Sequence, residues 1–177
     1  MIERLIKEEK LQPLDKGVVT NLAVLADGVK GLSYDPDNTY SAPYFWGTVG
    51  IVYNKNNVAK ADLEKEGFNI FQDTKYKGRL YLYDSERDSF MMALKALGYS
   101  MNTSSEKELH AAYEWLVKAV STMDPEIVTD EVIDAMINGN KDLALVYSGD
   151  AAFILSENED MEYFMPKEGT NLWSDAW

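Results

Sequence analysis

A chain of 177 residues and 20.0 kDa is long enough for one ordinary domain and too short for two. With 46% hydrophobic and 27% charged residues it has the composition of a folding chain rather than a disordered one. Its formal charge of −13 would repel a nucleic-acid backbone and attract cationic partners, and the absence of cysteine removes disulfides, thiol nucleophiles and Cys-ligated metal centres. Residues 1–9 (MIERLIKEE) read as the middle of an amphipathic helix, without the basic, apolar and cleavage regions of a signal peptide. Residues 17–30 continue as loop and short helix, and 33–40 (SYDPDNTY) are turn-rich. An aromatic, β-branched stretch at 44–53 (YFWGTVGIVY) predicts one buried strand, bent at Gly47 or Gly50. A second strand is predicted at 79–83 (RLYLY), followed by a helix through Phe90, Met91, Leu94 and Leu97 that stops at Gly98. Ser105 and Glu108 form a capping-box pattern at the start of a helix over 105–120, with Leu109, Ala112, Tyr113, Leu116, Val117 and Val120 as its apolar face. A shorter helix over 129–138 is expected to be capped by Thr129 and stopped by Gly139. The run 143–147 (LALVY) is a strand covered on both faces, too short to span a bilayer. A helix from Asp150 to about Ser156, a strand at 163–165 and a turn at 166–169 complete the alternation, which predicts an α/β layer architecture. The chain stops on WSDAW; a start inside a helix and an end on a large aromatic predict an internal piece of a longer protein.

Few familiar chemistries have a foothold. Neither GxGxxG nor GxxxxGK[ST] occurs, and His110 is the only histidine, which excludes His₂ and His₃ metal sites and reads as a surface or boundary residue. Asp35 and Asp37 begin like a calcium loop, but the sixth and twelfth positions hold Tyr40 and Trp46 where glycine and glutamate are needed. That segment is a turn.

Three clusters combine an aromatic with carboxylates. Asp84, Ser85 and Asp88 stand where a strand meets a helix, the edge at which α/β proteins place ligands. The plain alternative is that Asp84 or Ser85 caps the helix and Asp88 favours its positive end. Tyr147, Ser148, Gly149 and Asp150 repeat the arrangement, and Trp173 and Asp175 repeat its chemistry. Aromatic faces with carboxylates suit a small organic cation, its methylenes against the rings and its ammonium groups on the acids. An anionic substrate would want basic residues instead, and Arg87 is the only one there.

At these residues the sequence resembles the extracytoplasmic spermidine/putrescine-binding proteins of polyamine ABC transporters. Tyr44-Phe45-Trp46-Gly47 is similar to that family's PYxWG strand; Tyr76-Lys77-Gly78 with residues 84–88 to its YKG…DxxRE segment; residues 94–102 (LKALGYSMN) to its LxxLGYSxN; and Pro166-Lys167-Glu168-Gly169 with Trp173 and Asp175 to its PKEG…WxD. The resemblance implies a periplasmic-binding-protein-like (type II) α/β lobe, a mixed sheet flanked by helices and truncated at both ends, drawn from a two-lobed clamp that closes on its ligand. It places 1–46 as the remnant of the first lobe leading into the hinge strand, and 47–177 as most of the second lobe, ending at the return hinge. Residue by residue, Asp88 stands where the family usually has a glutamate that meets an ammonium group, and Ser85 where an aspartate is common, with neighbouring Asp84 as its substitute. Tyr147 stands where a tryptophan is frequent, and Trp173 and Asp175 match the aromatic wall and its carboxylate. The implied function is non-enzymatic polyamine binding outside the cytoplasm, in the periplasm or at the cell surface, with a membrane permease as partner and no cofactor, metal or nucleic acid. The alternatives are a lobe for another small cation or solute, and an acidic hydrolase using Asp84 and Asp88 as acid and base.

Overall fold

An uninterrupted apolar strand must be covered on both faces, and residues 143–147 meet that condition. In the computed structural model, which describes residues 1–177, they form a strand whose first four residues are buried. The strands of the chain are β1 (Pro43–Gly47), β2 (Val49–Asn54), β3 (Leu80–Tyr83), β4 (Glu126–Val128), β5 (Leu143–Tyr147), β6 (Met161–Phe164) and β7 (Trp173–Ala176). Five of them build one sheet in the order β4-β3-β5-β2-β6, with β5 at its centre. β3 runs parallel to β4 and β5, while β2 runs antiparallel to β5 and β6, so the sheet is mixed. The helices are α1 (Ile2–Lys7), α2 (Lys60–Glu66), α3 (Glu86–Ala96), α4 (Glu106–Met123), α5 (Glu131–Ile137) and α6 (Ser148–Glu157). On one face of the sheet Val52, Tyr81, Ala144 and Val146 pack with Val132 and Met136 of α5 and Ala151 and Ile154 of α6. The alternate strand residues Ile51, Leu80, Leu82, Leu143 and Leu145 are buried as well, so both faces are covered.

The chain divides into two compact units, Thr48–Asn171 and Met1–Gly47 with Leu172–Trp177. The first holds the five-stranded sheet. The second is built on β1 paired antiparallel with β7; its α1 and its two 3-10 turns, Thr20–Val24 and Asp27–Val29, bury no residue. Within that unit the Asp35 turn needs no ion. Its buried carboxylate accepts the backbone N–H groups of Thr39, Tyr40 and Ser41 and the Ser41 hydroxyl, at 2.8–3.0 Å. Burial alone would raise its pKa, but the four donors outweigh it and hold the carboxyl below its ordinary range.

Several elements depart from the sequence expectation. The single strand expected over 44–53 is two strands in different sheets, β1 with β7 and β2 with β5 and β6. The break falls at Thr48, whose N–H goes to the Ser148 hydroxyl and whose carbonyl accepts the Ser148 N–H. Residues 172–177 group with 1–47 through the ladder of β7 with β1. The Ser105–Glu108 capping box does not form: the Ser105 side chain makes no cap bond, and its N–H donates to Thr103 Oγ1. The buried face of α4 is Ala112, Trp115, Ala119 and Met123, and Leu109, Tyr113, Val117 and Val120 are exposed. Thr129 spends its N–H and hydroxyl on the Glu131 carboxylate, and Asp130 takes the N-cap position of α5.

Candidate functional site

β3 and β5 are parallel neighbours, so the residues that end them emerge side by side at one edge of the sheet. Those residues are Tyr83 and Tyr147. Their rings meet edge-on, with centroids 5.0 Å apart and planes at 70°. Beyond β3 the chain turns directly into α3. Ser85 is its N-cap, its hydroxyl accepting the Asp88 N–H at 3.3 Å. Asp88, in the first turn, faces inward and is only 4% exposed. The Tyr147 hydroxyl donates to its Oδ2 at 2.6 Å, and Asn171 Nδ2 donates to its Oδ1 at 3.0 Å. Asn171 in turn accepts the Val49 N–H at 3.0 Å, which ties the carboxylate to the start of β2.

The neighbouring parallel strand adds a third edge. Asp130 lies just past β4, and its Oδ1 accepts the Tyr83 hydroxyl at 2.9 Å. Each tyrosine therefore has a carboxylate of its own. Burial pushes both phenols above their ordinary range; the bond to Asp88 adds to the effect on Tyr147, and the bond to Asp130 to that on Tyr83. Asp150, three residues past Tyr147 in the first turn of α6, is half-buried. Its carboxyl is raised by burial first and by the negative charge of Asp130 second. No lysine or arginine pairs with Asp88, Asp130 or Asp150; the ion pairs of the chain all involve other acids.

Of the residues singled out from sequence, Ser85, Asp88 and Tyr147 come together in the 48–171 unit. Asp84 is exposed, and its backbone N–H joins the Val128 carbonyl at 2.8 Å. Trp173 and Asp175 belong to the other unit, on β7. There Trp173 stands opposite Gly47 and lines a largely apolar cavity of about 360 Å³ with Tyr34, Trp46 and Leu172, while Asp175 is exposed. Three participants escaped the sequence reading. Tyr83 reads from sequence only as the end of a strand, and its partner Asp130 as part of a helix. Asn171 sits in an irregular polar stretch with no pattern to mark it; only the fold brings it to Asp88.

The family pattern described as "Bacterial extracellular solute-binding protein" matches residues 1–177. The spermidine/putrescine-binding periplasmic protein of Escherichia coli (strain K12) is 33% identical over 99% of this chain, which covers 49% of that protein. The putrescine-binding periplasmic protein SpuD of Pseudomonas aeruginosa is 34% identical over 96% of the chain and 50% of its own length. Among solved structures, one from Listeria monocytogenes has a TM-score of 0.89 at 38% identity, covering 99% of this chain and 53% of that one. The spermidine/putrescine ABC transporter substrate-binding protein of Streptococcus pneumoniae, in complex with calcium and HEPES, gives 0.82 at 34%, over 99% of this chain and 53% of its own. The chain spans about half the length of the curated relatives it matches.

Proposed function

The chain belongs to the bacterial extracellular solute-binding protein family, and from that membership we propose that it binds spermidine or putrescine as part of the extracytoplasmic receptor of an ABC transporter, handing the ligand to a membrane permease. The observation that carries this reading is the edge-on Tyr83–Tyr147 pair set among Asp88, Asp130 and Asp150, three acids with no basic residue to neutralise them. A polyamine is a chain of methylenes between ammonium groups. Its apolar part gains from aromatic faces, and its charges gain from carboxylates in a partly desolvated setting. In this reading Ser85, Asp88 and Tyr147 act from the 48–171 unit, with Asp84 at its margin. The resemblance adds Trp173 and Asp175 to the proposed ligand residues. Residues 1–46 then come from the first lobe of a clamp, and 47–177 from the second lobe up to its return hinge.

No reaction is part of this proposal: the ligand is held and released. A hydrolase built on Asp84 and Asp88 is disfavoured because both Asp88 oxygens already hold protein donors and Asp84 is exposed. A site for some other small cation is favoured by one observation, the serine at position 85 where the resemblance leads one to expect an aspartate.

Two-dimensional NMR of the 177-residue chain, titrated with putrescine, spermidine, choline and 1,6-hexanediol, tests the reading. Saturable shifts at Tyr83 and Tyr147 with the two polyamines, and none with the neutral diol, are the expected result. Equal response to choline would move the assignment to small cations in general. No response to either polyamine would overturn it.

A further inference from the structure

Val49 opens β2 with no strand beside one of its edges. Along a strand of this sheet the backbone groups of alternate residues point to opposite sides, and Thr48 and Asn54 bond toward the β5 side, to Ser148 and to the Asp142 carbonyl. Val49 therefore turns its N–H and C=O to the β6 side, where the ladder stops at Ile51 opposite Phe164. Two consecutive side chains take the place of the missing strand. The Thr170 hydroxyl donates to the Val49 carbonyl at 2.5 Å, and Asn171 Oδ1 accepts the Val49 N–H at 3.0 Å. The segment that carries them is pinned further back by Glu168, whose carboxylate accepts the Phe68 N–H at 2.8 Å. Asn171 is only 5% exposed, and its amide has one workable orientation. With the oxygen committed to Val49, the NH₂ must face Asp88, whose Oδ1 accepts it at 3.0 Å.

Resting on the polyamine reading, we propose that Asn171 is a positioning residue for Asp88: it touches no ligand itself and fixes the carboxylate that does. An aspartate carboxylate rotates readily about its last bond. Here two donors from separate segments, Tyr147 on Oδ2 and Asn171 on Oδ1, set its plane. Each oxygen keeps a further lone pair, and those lone pairs point in fixed directions before any ammonium group arrives. Binding then avoids the entropy cost of ordering the acid. Thr170 shares the work of holding Val49 but makes no hydrogen bond to Asp88, so it serves the backbone alone.

Two nearly isosteric changes separate positioning from scaffolding. Asn171→Leu and Thr170→Val each leave one Val49 backbone group without its partner, so both should lower the denaturation midpoint; only Asn171→Leu also releases Asp88. Spermidine affinity is read by NMR titration, with the fold of each variant confirmed by circular dichroism. It should fall about tenfold in Asn171→Leu and stay within about twofold of the parent in Thr170→Val. In the ligand-free chain the Tyr147 ring resonances should move in Asn171→Leu and hold still in Thr170→Val, because only the first change loosens the acid that Tyr147 bonds. In an Asp88→Asn background Asn171→Leu should cost no further affinity, since it acts through Asp88. Asn171→Ser, which removes the amide with a milder change of polarity, replaces the leucine variant if that one does not fold. Equal losses of affinity in the Asn171 and Thr170 variants, or parent affinity in a folded Asn171 variant, would make Asn171 a scaffold residue while the polyamine reading stands. If the parent binds no polyamine, that reading falls and this role falls with it.

Discussion

Asp88 is the residue at which structure and ligand chemistry compete most directly. Its two oxygens accept from the Tyr147 hydroxyl and the Asn171 amide. An asparagine at this position can offer its oxygen to Asn171 and its NH₂ to the Tyr147 oxygen, but the Tyr147 O–H then loses its acceptor. Leaving that group unsatisfied in a site 4% exposed should cost about 1–3 kcal/mol of stability in Asp88→Asn, measured by urea denaturation. The same change removes the negative charge that helps hold the Tyr147 phenol high. Tyr147 should therefore titrate at a lower pH in the variant, visible as an earlier absorbance change on the alkaline side. If Asp88 also meets a ligand ammonium through its remaining lone pairs, polyamine affinity should drop by about 2–5 kcal/mol. Stability lost with affinity intact would assign Asp88 to the scaffold alone. Sequence marks this residue as a candidate at the start of a helix. It could not tell a carboxylate turned to the ligand from one turned to Tyr147 and Asn171, because those partners lie 59 and 83 positions away.

At the scale of elements, the local signals that succeeded are those carried by a single segment. The run at 143–147 is buried because every residue in it is apolar, and Gly98 ends α3 with φ +77° because that conformation strains any side chain. The signals that failed depend on what the segment packs against. α4 offers two apolar stripes; the one through Trp115 is buried, since its indole N–H donates to Asn69 and its neighbours meet α3, and no periodicity in α4 announces that choice. The stretch 44–53 looks like one strand because β1 and β2 share a composition; the partners of each are at least 90 residues away. Gly50 shows what such partners demand. A β-carbon there would overlap the ring end of Tyr163, which lies over the glycine from β6. Gly50→Ala should cost about 1–3 kcal/mol through that overlap, whereas in a Tyr163→Ala background the same change should cost much less. A double-mutant cycle from denaturation midpoints checks this. Equal costs in both backgrounds would mean that the glycine serves its strand for another reason.

For the whole molecule the dominant quantity is charge. Thirty acidic side chains against 17 basic ones will attract any polyamine to some degree, so binding by itself does not identify a site. Salt separates the two kinds of association. Counter-ion-like attachment to exposed carboxylates is screened over a Debye length, which shrinks from about 10 Å at 0.1 M salt to about 3 Å at 1 M. An ammonium group held against the Tyr83–Tyr147 corner by a half-buried acid is screened much less. Spermidine should therefore raise the melting temperature along a saturating curve, and part of that rise should survive at about 1 M sodium chloride. At 100-fold excess over its dissociation constant, one bound ligand stabilises by about 2.7 kcal/mol. Asp88→Asn combined with Asp150→Asn lowers the negative charge by only two, so diffuse attraction would hardly change. The double variant should nonetheless lose the salt-resistant part of the rise while keeping most of the low-salt part. If parent and variant lose their spermidine response together as salt is added, the polyamine is bound by the acidic surface at large, and the ordered acids around the tyrosine pair are not where it sits.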